Sequence, residues 1–214
     1  MISSQNTTVI ICAAGMGTRL GIGTTKALVD IDGVPLILRQ LKLLKDYDDI
    51  RIVVGFQAER IINVVKEYRK DIMFAFNYEY ETTGVANSLR MGILGSREYI
   101  LSLDGDILIN PDDFSAFAEY DGECLAVTSI TSAEPIKATV DIGVVKRLDK
   151  SDGNMQWPGI AKVRMEKLKG DSSHVYNVLN ECLPLPAFQL RAREIDTPED
   201  YEKALDWFEN GQVD

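Results

Sequence analysis

Two short segments of the sequence carry residue types that can bind phosphate groups and a metal ion. Residues 13–21 read AAGMGTRLG and directly follow an apolar run. Glycines let the backbone approach a ligand closely and present N–H groups to an anion, while Arg19 and Lys26 add cations. Asp104 and Asp106 are one residue apart, so in a strand both carboxylates point to the same side. Carboxylate oxygens of this kind suit Mg²⁺ bound together with phosphates.

Three interpretations of the glycine-rich segment are open. A P-loop ends in Gly-Lys-Ser or Gly-Lys-Thr, and this segment does not. A dinucleotide fold would use Gly15, Gly17 and Gly21 and an acid at the end of the next strand, where the chain reads VVGFQ without a carboxylate. The third interpretation is an ordinary glycine-rich turn, which the segment alone does not exclude.

Strand-like and helix-like segments alternate through the first 120 residues. The apolar run TVIICA at 8–13 is typical of a strand that is buried on both faces. The patterns predict further strands at 50–56, 72–77 and 99–103, and helices at 36–45, about 61–68 and 85–94. This alternation indicates right-handed βαβ units and therefore an α/β fold with a mostly parallel central sheet flanked by helices.

The second half of the chain carries more strands than helices. Strands are predicted at 125–131, 140–148 and 160–165, with a turn at 150–153. Asn110 followed by proline, and Thr197 followed by proline and two acids, predict the starts of two helices. Because no linker or repeat divides the sequence, we expect a single domain over residues 1–214.

Composition and charge exclude several classes of protein. The 214 residues are 45% hydrophobic, and 33 acidic against 23 basic side chains give a net charge of −10. A nucleic-acid reader needs a basic face, so no nucleic-acid partner is expected. The sequence has no signal-peptide pattern and no run of 18 apolar residues, so no membrane partner is expected. Three cysteines without a CxxC motif are typical of reduced thiols in a cytoplasmic protein.

The order of the motifs resembles the nucleotidyltransferase, or nucleotide-sugar pyrophosphorylase, superfamily. AAGMGTRLG is followed by TKALVDIDGVPLI, where that superfamily typically has AAGxGTRL, Pro-Lys-x-Leu and a Gly-x-Pro turn. Thr25 replaces the usual proline, and Lys26 is kept. The segments 77–89, 103–107, 159–162 and 194–196 then follow in the order seen in small phosphocholine-type cytidylyltransferases. Molybdenum-cofactor guanylyltransferases look less similar, because they typically begin Leu-Ala-Gly-Gly.

The resemblance implies a single Rossmann-like GT-A-type domain and a role for individual residues. Residues of about 7–122 would form the nucleotide-binding half, and about 123–214 the acceptor-binding half with a small β subregion. The catalytic cations would be Lys26 and Arg19, the Mg²⁺ ligands Asp106 and Asp196, and the acid near the acceptor Glu181. The nucleotide-binding residues would be Ala13, Ala14, Gly15, Met16, Gly17, Thr18, Thr83, Gly84, Asn87, Ser88 and Asp104. For Asp104 a role beside the metal ligands and a capping role both stay open.

The function that the resemblance implies is transfer of a nucleoside monophosphate to a small phosphate- or phosphonate-bearing acceptor, with release of pyrophosphate. CTP is the expected donor and phosphocholine the first expected acceptor, because the segment 125–190 is short for a hexose site. A sugar-1-phosphate nucleotidyltransferase using UTP, dTTP or GTP is the alternative, and an inactive nucleotide-binding regulatory domain is another.

The expected reaction requires no general base. The attacking phosphate is already ionised at neutral pH, because its second pKa is about 6. His174 is the only histidine and is expected at the surface. Four aromatic residues could surround an ammonium group or could pack as core and rim side chains: Tyr78, Tyr80, Trp157 and Tyr176.

Overall fold

The computed structural model describes residues 2–211 as an α/β fold. Its strands are β1 Thr7–Ala13, β2 Asp30–Ile31, β3 Val34–Pro35, β4 Ile50–Val54, β5 Met73–Phe76, β6 Tyr99–Asp104, β7 Ile107–Ile109, β8 Cys124–Val127, β9 Lys137–Asp141, β10 Val144–Asp149, β11 Met155–Gln156, β12 Ala161–Arg164, β13 Leu185–Gln189 and β14 Ala192–Glu194. Its α-helices are α1 Leu36–Leu43, α2 Ala58–Tyr68, α3 Val85–Ile93, α4 Pro111–Glu119, α5 Val175–Asn180 and α6 Pro198–Glu209.

One ten-stranded sheet runs through both halves of the chain in the order β11-β9-β10-β13-β8-β12-β6-β1-β4-β5. Strands β6, β1, β4 and β5 are parallel to one another, as the alternation predicts. Strand β12 is antiparallel to both β6 and β8, and β13 is again parallel to β8. Most of the central strands therefore point the same way, which confirms the predicted fold class.

Strand β1 is buried on both faces because helices cover both sides of the sheet. Val9 and Ile11 belong to a core that includes residues of α1, α2 and α4. Ile10, between them, belongs to a second core with residues of α3 and α5. Alternate side chains of a strand point to opposite faces, so the continuous apolar run serves two cores at once.

The two predicted helix starts are confirmed. Asn110 accepts hydrogen bonds from the backbone N–H groups of Asp112 and Asp113, both at 3.1 Å. Thr197 and Asp200 form a capping box at the start of α6. The longest α-helix within residues 2–211 has 12 residues, and none of the described helices is long and apolar enough to cross a membrane.

The prediction of one continuous strand at 140–148 is wrong, because the structure has a hairpin there. β9 ends at Asp141 and β10 begins at Val144. Ile142 and Gly143 between them have φ values of 47° and 71°. Two consecutive residues with positive φ make the tight turn that suits the twist of an antiparallel pair. Because Ile142 is apolar, the sequence pattern continues through the turn and conceals it.

Lys162 is fully buried and stabilises the C-terminal end of α4. Its ammonium group donates hydrogen bonds to the carbonyl oxygens of Phe117 at 2.9 Å and Tyr120 at 2.6 Å. Burial lowers the pKa of Lys162. The cation nevertheless lies where the helix dipole is negative, and it adds a second donor to two carbonyl groups that already accept from the backbone N–H groups of Tyr120 and Gly122. Lys162, the lysine of the segment 159–162, thus stabilises the end of α4 in this fold.

We expect Lys162→Met to lower the free energy of unfolding by about 2–3 kcal/mol, because buried carbonyl groups would lose a charged donor. Urea denaturation at neutral pH measures this change. The control is Lys70→Met at an exposed lysine, which should leave the urea midpoint unchanged. A parent-like midpoint for Lys162→Met would show that the buried ammonium group contributes no net stability.

Candidate functional site

The glycine-rich loop lies at the carboxyl end of β1, where ligands bind in parallel α/β sheets. Gly17 has a φ of 63°, and a Cβ atom there would lie only 3.0 Å from Cγ of Lys26. The following residues, Thr18–Leu20, form one turn of 3-10 helix. Glycine at position 17 therefore lets the loop turn and lets the lysine stem pass directly beside it.

Gln57 holds the second part of this loop. Its side-chain amide oxygen accepts a hydrogen bond from the Thr24 hydroxyl at 3.3 Å, and its amide nitrogen donates to the carbonyl oxygen of Gly23 at 3.1 Å. The backbone N–H of Thr25 lies 3.4 Å from the same amide oxygen. The position of Lys26 next to Thr25 thus depends on a residue that follows β4.

Thr25 adopts the backbone conformation of the proline that the superfamily usually has there. Its φ is −64°, and proline fixes φ near −65°. Since only a long hydrogen bond would be lost, we expect Thr25→Pro to keep the turnover within twofold and to raise stability by up to about 1 kcal/mol. Thermal unfolding and pyrophosphate release measure the two effects.

Leu28→Pro is the control for this substitution. It removes the N–H group that donates to the carbonyl oxygen of Thr25 at 3.0 Å, so it should destabilise the same loop. If Thr25→Pro were as destabilising as Leu28→Pro, the Thr25 N–H would be essential despite its long hydrogen bond.

Three carboxylates form a cluster opposite the glycine-rich loop. Oxygen atoms of Asp106, Glu194 and Asp196 lie within 4.8 Å of one another. Antiparallel pairing of β7 with β14 brings the two segments together, and the backbone N–H of Ile195 donates to the carbonyl oxygen of Asp106 at 2.9 Å. The pairing explains how residues about 90 positions apart in sequence form one acidic group.

Lys26 and Arg19 neutralise part of this cluster. The ammonium group of Lys26 lies 2.7 Å from Oδ2 of Asp106 and also contacts Oδ1 of Asp196. Arg19 lies 3.0 Å from Oδ2 of Asp196 and 2.9 Å from Glu134. Burial lowers the pKa of Lys26, but Asp106 and Asp196 outweigh burial and raise the pKa above its ordinary value. The lysine is therefore positively charged at neutral pH.

The donor set of the cluster fits a Mg²⁺ ion. Oδ1 of Asp106 is buried and has no hydrogen-bond partner among residues 2–211. A buried carboxylate oxygen without a partner is costly unless a cation satisfies it. All three side chains offer hard oxygen atoms, which Mg²⁺ prefers. Asp106, Glu194 and Asp196 are thus the residues that would hold the metal.

Asp104 lies beside this cluster. Burial and the neighbouring Asp106 carboxylate raise the pKa of Asp104 well above its ordinary range. Gly159, with a φ of 76°, faces it so closely that a Cβ atom would overlap the Asp104 carboxylate. The glycine of the segment 159–162 therefore leaves room for this acid.

Glu194 is the member of the cluster that the sequence interpretation missed. Burial, Asp106 and Asp196 raise the pKa of Glu194 to about 8. Its Oε2 atom accepts hydrogen bonds from Ser132 at 3.0 Å and from Gln156 at 2.9 Å. The sequence does contain a signal, because Glu194 and Asp196 have the same spacing as Asp104 and Asp106.

Two cavities meet at the cluster. The smaller, of about 230 Å³, lies between the glycine-rich loop and the acids, and its lining includes Ala13, Gly15, Gly17, Lys26 and Asp106. The larger, of about 660 Å³, is lined by residues that include Ala133, Pro135, Lys137, Lys150, Trp157, His174 and Tyr176. The side chains that line both are Arg19, Val85, Asp104, Glu194 and Asp196.

The segment around Gly84 packs against the backbone at Ser173. A Cβ atom on Gly84 would overlap the carbonyl oxygen of Ser173, so this glycine allows close backbone packing. Ser88 is buried and accepts a hydrogen bond from Asn77 at 3.0 Å, and Asn77 donates equally to Thr83. Asn87 contacts Arg90. In this region Val85 lines both cavities.

The remaining predicted residues divide between the loop surface and the sheet. Ala14 is buried, and its carbonyl oxygen accepts a hydrogen bond from Phe56 at 3.0 Å. Met16 and Thr18 are exposed on the loop. Trp157 and Tyr176 line the larger cavity. Tyr78, by contrast, is 84% exposed and stacks on Phe76, while Tyr80 packs against Phe56.

The structure places Glu181, the acid expected near the acceptor, outside the linings of both cavities. This side chain is exposed beside Gly170, at the C-terminal end of α5. The cavity is lined instead by the opposite end of the helix, where His174, Val175 and Tyr176 lie. Because α5 points its N-terminal end at the site, an acid after its last turn is carried away from it.

A glycine-rich loop that faces an acidic cluster across one cavity is typical of a nucleotide-binding α/β domain. The family model described as the MobA-like NTP transferase domain matches residues 9–159, and the chain belongs to that family. This confirms the superfamily that the motifs resemble and defines a nucleotidyltransferase domain.

Known proteins with similar sequences or folds support this assignment. The bifunctional protein GlmU of Aliarcobacter butzleri is 31% identical over 143 residues, which cover 65% of this chain and 33% of that protein. The chain thus spans about a third of the length of the curated relatives it matches. The fold is similar to the inositol-1-phosphate CTP transferase from T. maritima, with a TM-score of 0.76, 20% identity and coverage of 96% and 97%. It is also similar to the CTP:phosphocholine cytidylyltransferase of Streptococcus pneumoniae, with a TM-score of 0.71, 21% identity and coverage of 95% and 99%.

Proposed function

We propose that the protein transfers a nucleoside monophosphate from a nucleoside triphosphate to a small acceptor that carries a phosphate or phosphonate group, and that pyrophosphate leaves. The observation that carries this proposal is the contact of Lys26 with two carboxylates of a three-acid cluster, directly opposite the glycine-rich loop. Cations, backbone N–H groups and metal-binding oxygens then surround the smaller cavity, as phosphate transfer requires.

Each part of the site has a role in this reaction. The N–H groups of the loop around Gly15 and Gly17 would bind the triphosphate, and Lys26 and Arg19 would neutralise charge as pyrophosphate leaves. Asp106, Glu194 and Asp196 would hold Mg²⁺, which supplies charge neutralisation at the phosphate oxygens when bound. Asp104 would lie next to Asp106 at the junction of the two cavities, with Gly159 leaving room for it.

The larger cavity is our proposed acceptor site. It meets the smaller cavity at Arg19, Glu194 and Asp196, so an acceptor phosphate there would lie next to the phosphates of the donor. His174 is exposed at its margin. The reaction does not need it as a base, because the acceptor phosphate is already ionised.

We retain CTP as the proposed donor, in keeping with the two similar folds whose names include CTP. For the acceptor we propose two candidates. Phosphocholine agrees with Trp157 and Tyr176 in the larger cavity, since aromatic faces attract an ammonium group. A sugar or other polyol 1-phosphate agrees with Lys137 and Lys150 in the same cavity, because their charges repel an ammonium group and can donate hydrogen bonds to hydroxyl groups.

A matrix of donors and acceptors tests the proposal. Purified protein with Mg²⁺ is mixed with CTP, UTP, GTP, ATP or dTTP and with phosphocholine, inositol 1-phosphate or glucose 1-phosphate, and pyrophosphate release is measured. Release that requires both substrates and Mg²⁺ supports the proposal, and the productive pair identifies the acceptor class. If thermal unfolding shifts with a triphosphate while no pair releases pyrophosphate, the regulatory-domain alternative gains support.

A further inference from the structure

Gln156 lies at a junction between the acidic cluster and the wall of the larger cavity. Its side chain is completely buried. The amide oxygen accepts hydrogen bonds from the backbone N–H groups of Thr131 at 3.0 Å and Ser132 at 3.2 Å. The amide nitrogen donates to Oγ of Ser132 at 2.7 Å and to Oε2 of Glu194 at 2.9 Å. All polar atoms of the amide are therefore satisfied.

The two backbone donors determine which way the amide faces. An N–H group can only donate, so the atom of Gln156 that meets Thr131 and Ser132 must be the oxygen. The NH₂ group is thereby directed at Glu194. The Ser132 hydroxyl accepts from that NH₂ group, which leaves its own hydrogen to donate to Glu194 at 3.0 Å. The network has one consistent set of donor directions.

Both hydrogen bonds to Glu194 end on the same oxygen, Oε2. They restrain the carboxylate on the side of Ser132 and Gln156, and neither of them occupies Oε1. Without these donors, the Glu194 side chain would lose both hydrogen bonds that hold it beside Asp106 and Asp196, whose negative charges oppose a third carboxylate there.

We infer that Gln156, together with Ser132, is a positioning residue that holds Glu194 as the third carboxylate of the metal site. The same amide oxygen anchors the backbone before Ala133 and Pro135, which line the larger cavity. The side chain of Gln156 thus contacts both Glu194 and the segment that forms one wall of the larger cavity, our proposed acceptor site. The inference rests on the proposed metal-dependent function, which it deepens.

The test measures metal binding directly, without nucleotide. Mn²⁺ is titrated into the whole protein, and the free ion is followed by electron paramagnetic resonance. Loss of a partner behind a metal ligand typically weakens metal affinity by about 10–100-fold, so we expect Gln156→Met to raise the Kd at least tenfold. Ser132→Ala keeps the amide donor and should raise the Kd only about threefold. Gln189→Met, at an exposed glutamine of β13, should bind Mn²⁺ like the parent.

A double-substitution cycle separates positioning from a general structural effect. In the background of Glu194→Ala, Gln156→Met should change the Kd by less than about twofold, because a residue that acts through Glu194 then has no ligand left to position. If the tenfold loss persists in that background, or if folded Gln156→Met binds Mn²⁺ like the parent, the inference is wrong. If Gln156→Met does not fold, Ser132→Ala decides: a parent-like Kd overturns the inference.

This experiment and the proposed function can fail separately. Mn²⁺ titration needs no turnover, so the expected pattern of Kd values would stand even if no substrate pair released pyrophosphate. Conversely, pyrophosphate release with an unchanged Mn²⁺ Kd in the variants would keep the proposed function and reject the role of Gln156.

Discussion

Replacing Lys26 with methionine is expected to lower the kcat for pyrophosphate release about a thousandfold, because one preorganised cation would be lost from the phosphate site. Lys26 is mostly buried between Asp106 and Asp196, and its raised pKa keeps it charged in a neutral assay. Methionine keeps the apolar stem of the side chain and the contact beside Gly17 while it removes the ammonium group. The measurement is steady-state pyrophosphate release with saturating Mg²⁺ and both substrates.

Lys45→Met is the matched control, since Lys45 is exposed just after α1 and should leave kcat unchanged. Thermal unfolding of both variants shows whether the fold is kept. A kcat for Lys26→Met within tenfold of the parent would remove Lys26 from the catalytic machinery and weaken the proposed function itself.

The second large effect is expected at Asp106. Asp106→Asn removes a charge from the three-acid cluster and should lower kcat about a thousandfold, with the Mg²⁺ dependence moved to higher concentration. The reason is that Oδ1 of Asp106 is the buried carboxylate oxygen for which we propose a cation as partner. Pyrophosphate release is measured as a function of Mg²⁺ concentration, and Mn²⁺ binding is measured in parallel.

Asp112→Asn provides the comparison for this variant, because Asp112 is exposed in the first turn of α4 and away from the cluster. It should show parent-like turnover and metal dependence. If Asp106→Asn also kept the parent Mg²⁺ dependence, the cluster would not be the metal site, and the assignment would have to move to other acids.

Some residues of the site can be predicted from local sequence patterns and others cannot. The glycine-rich loop and the pair Asp104 and Asp106 were identified because each is a local pattern directly after a strand. The pairing of Asp106 with Asp196 came from the resemblance to a family, since about 90 residues separate them. Glu194 was missed although its spacing to Asp196 repeats that of the first pair. Gln156 and Ser132 have no local signal in the sequence, because the role proposed for them depends only on contacts formed in the fold.

Glu181, by contrast, was expected near the acceptor from the sequence but lies outside the linings of both cavities. Its place in the sequence suggested an acid near the acceptor, but the direction of α5 decides which end of the helix reaches the cavity. A short helix has the same sequence pattern in either orientation relative to a sheet. The orientation depends on packing of Val178 and Leu179 into the second core, which involves strands far away in sequence.

The sequence by itself determined the features that arise from neighbouring residues: the alternation of strands and helices, the caps at Asn110 and Thr197, and the glycine-rich loop with its cations. Those features depend on backbone preferences and on hydrophobic periodicity within a few residues. Only the tertiary structure decided that β7 and β14 pair, that Lys26 contacts two of three clustered carboxylates, and that Gln156 joins the third, Glu194, to the wall of the larger cavity. Such contacts are selected by packing and charge balance over the whole sheet, and no short segment carries that information.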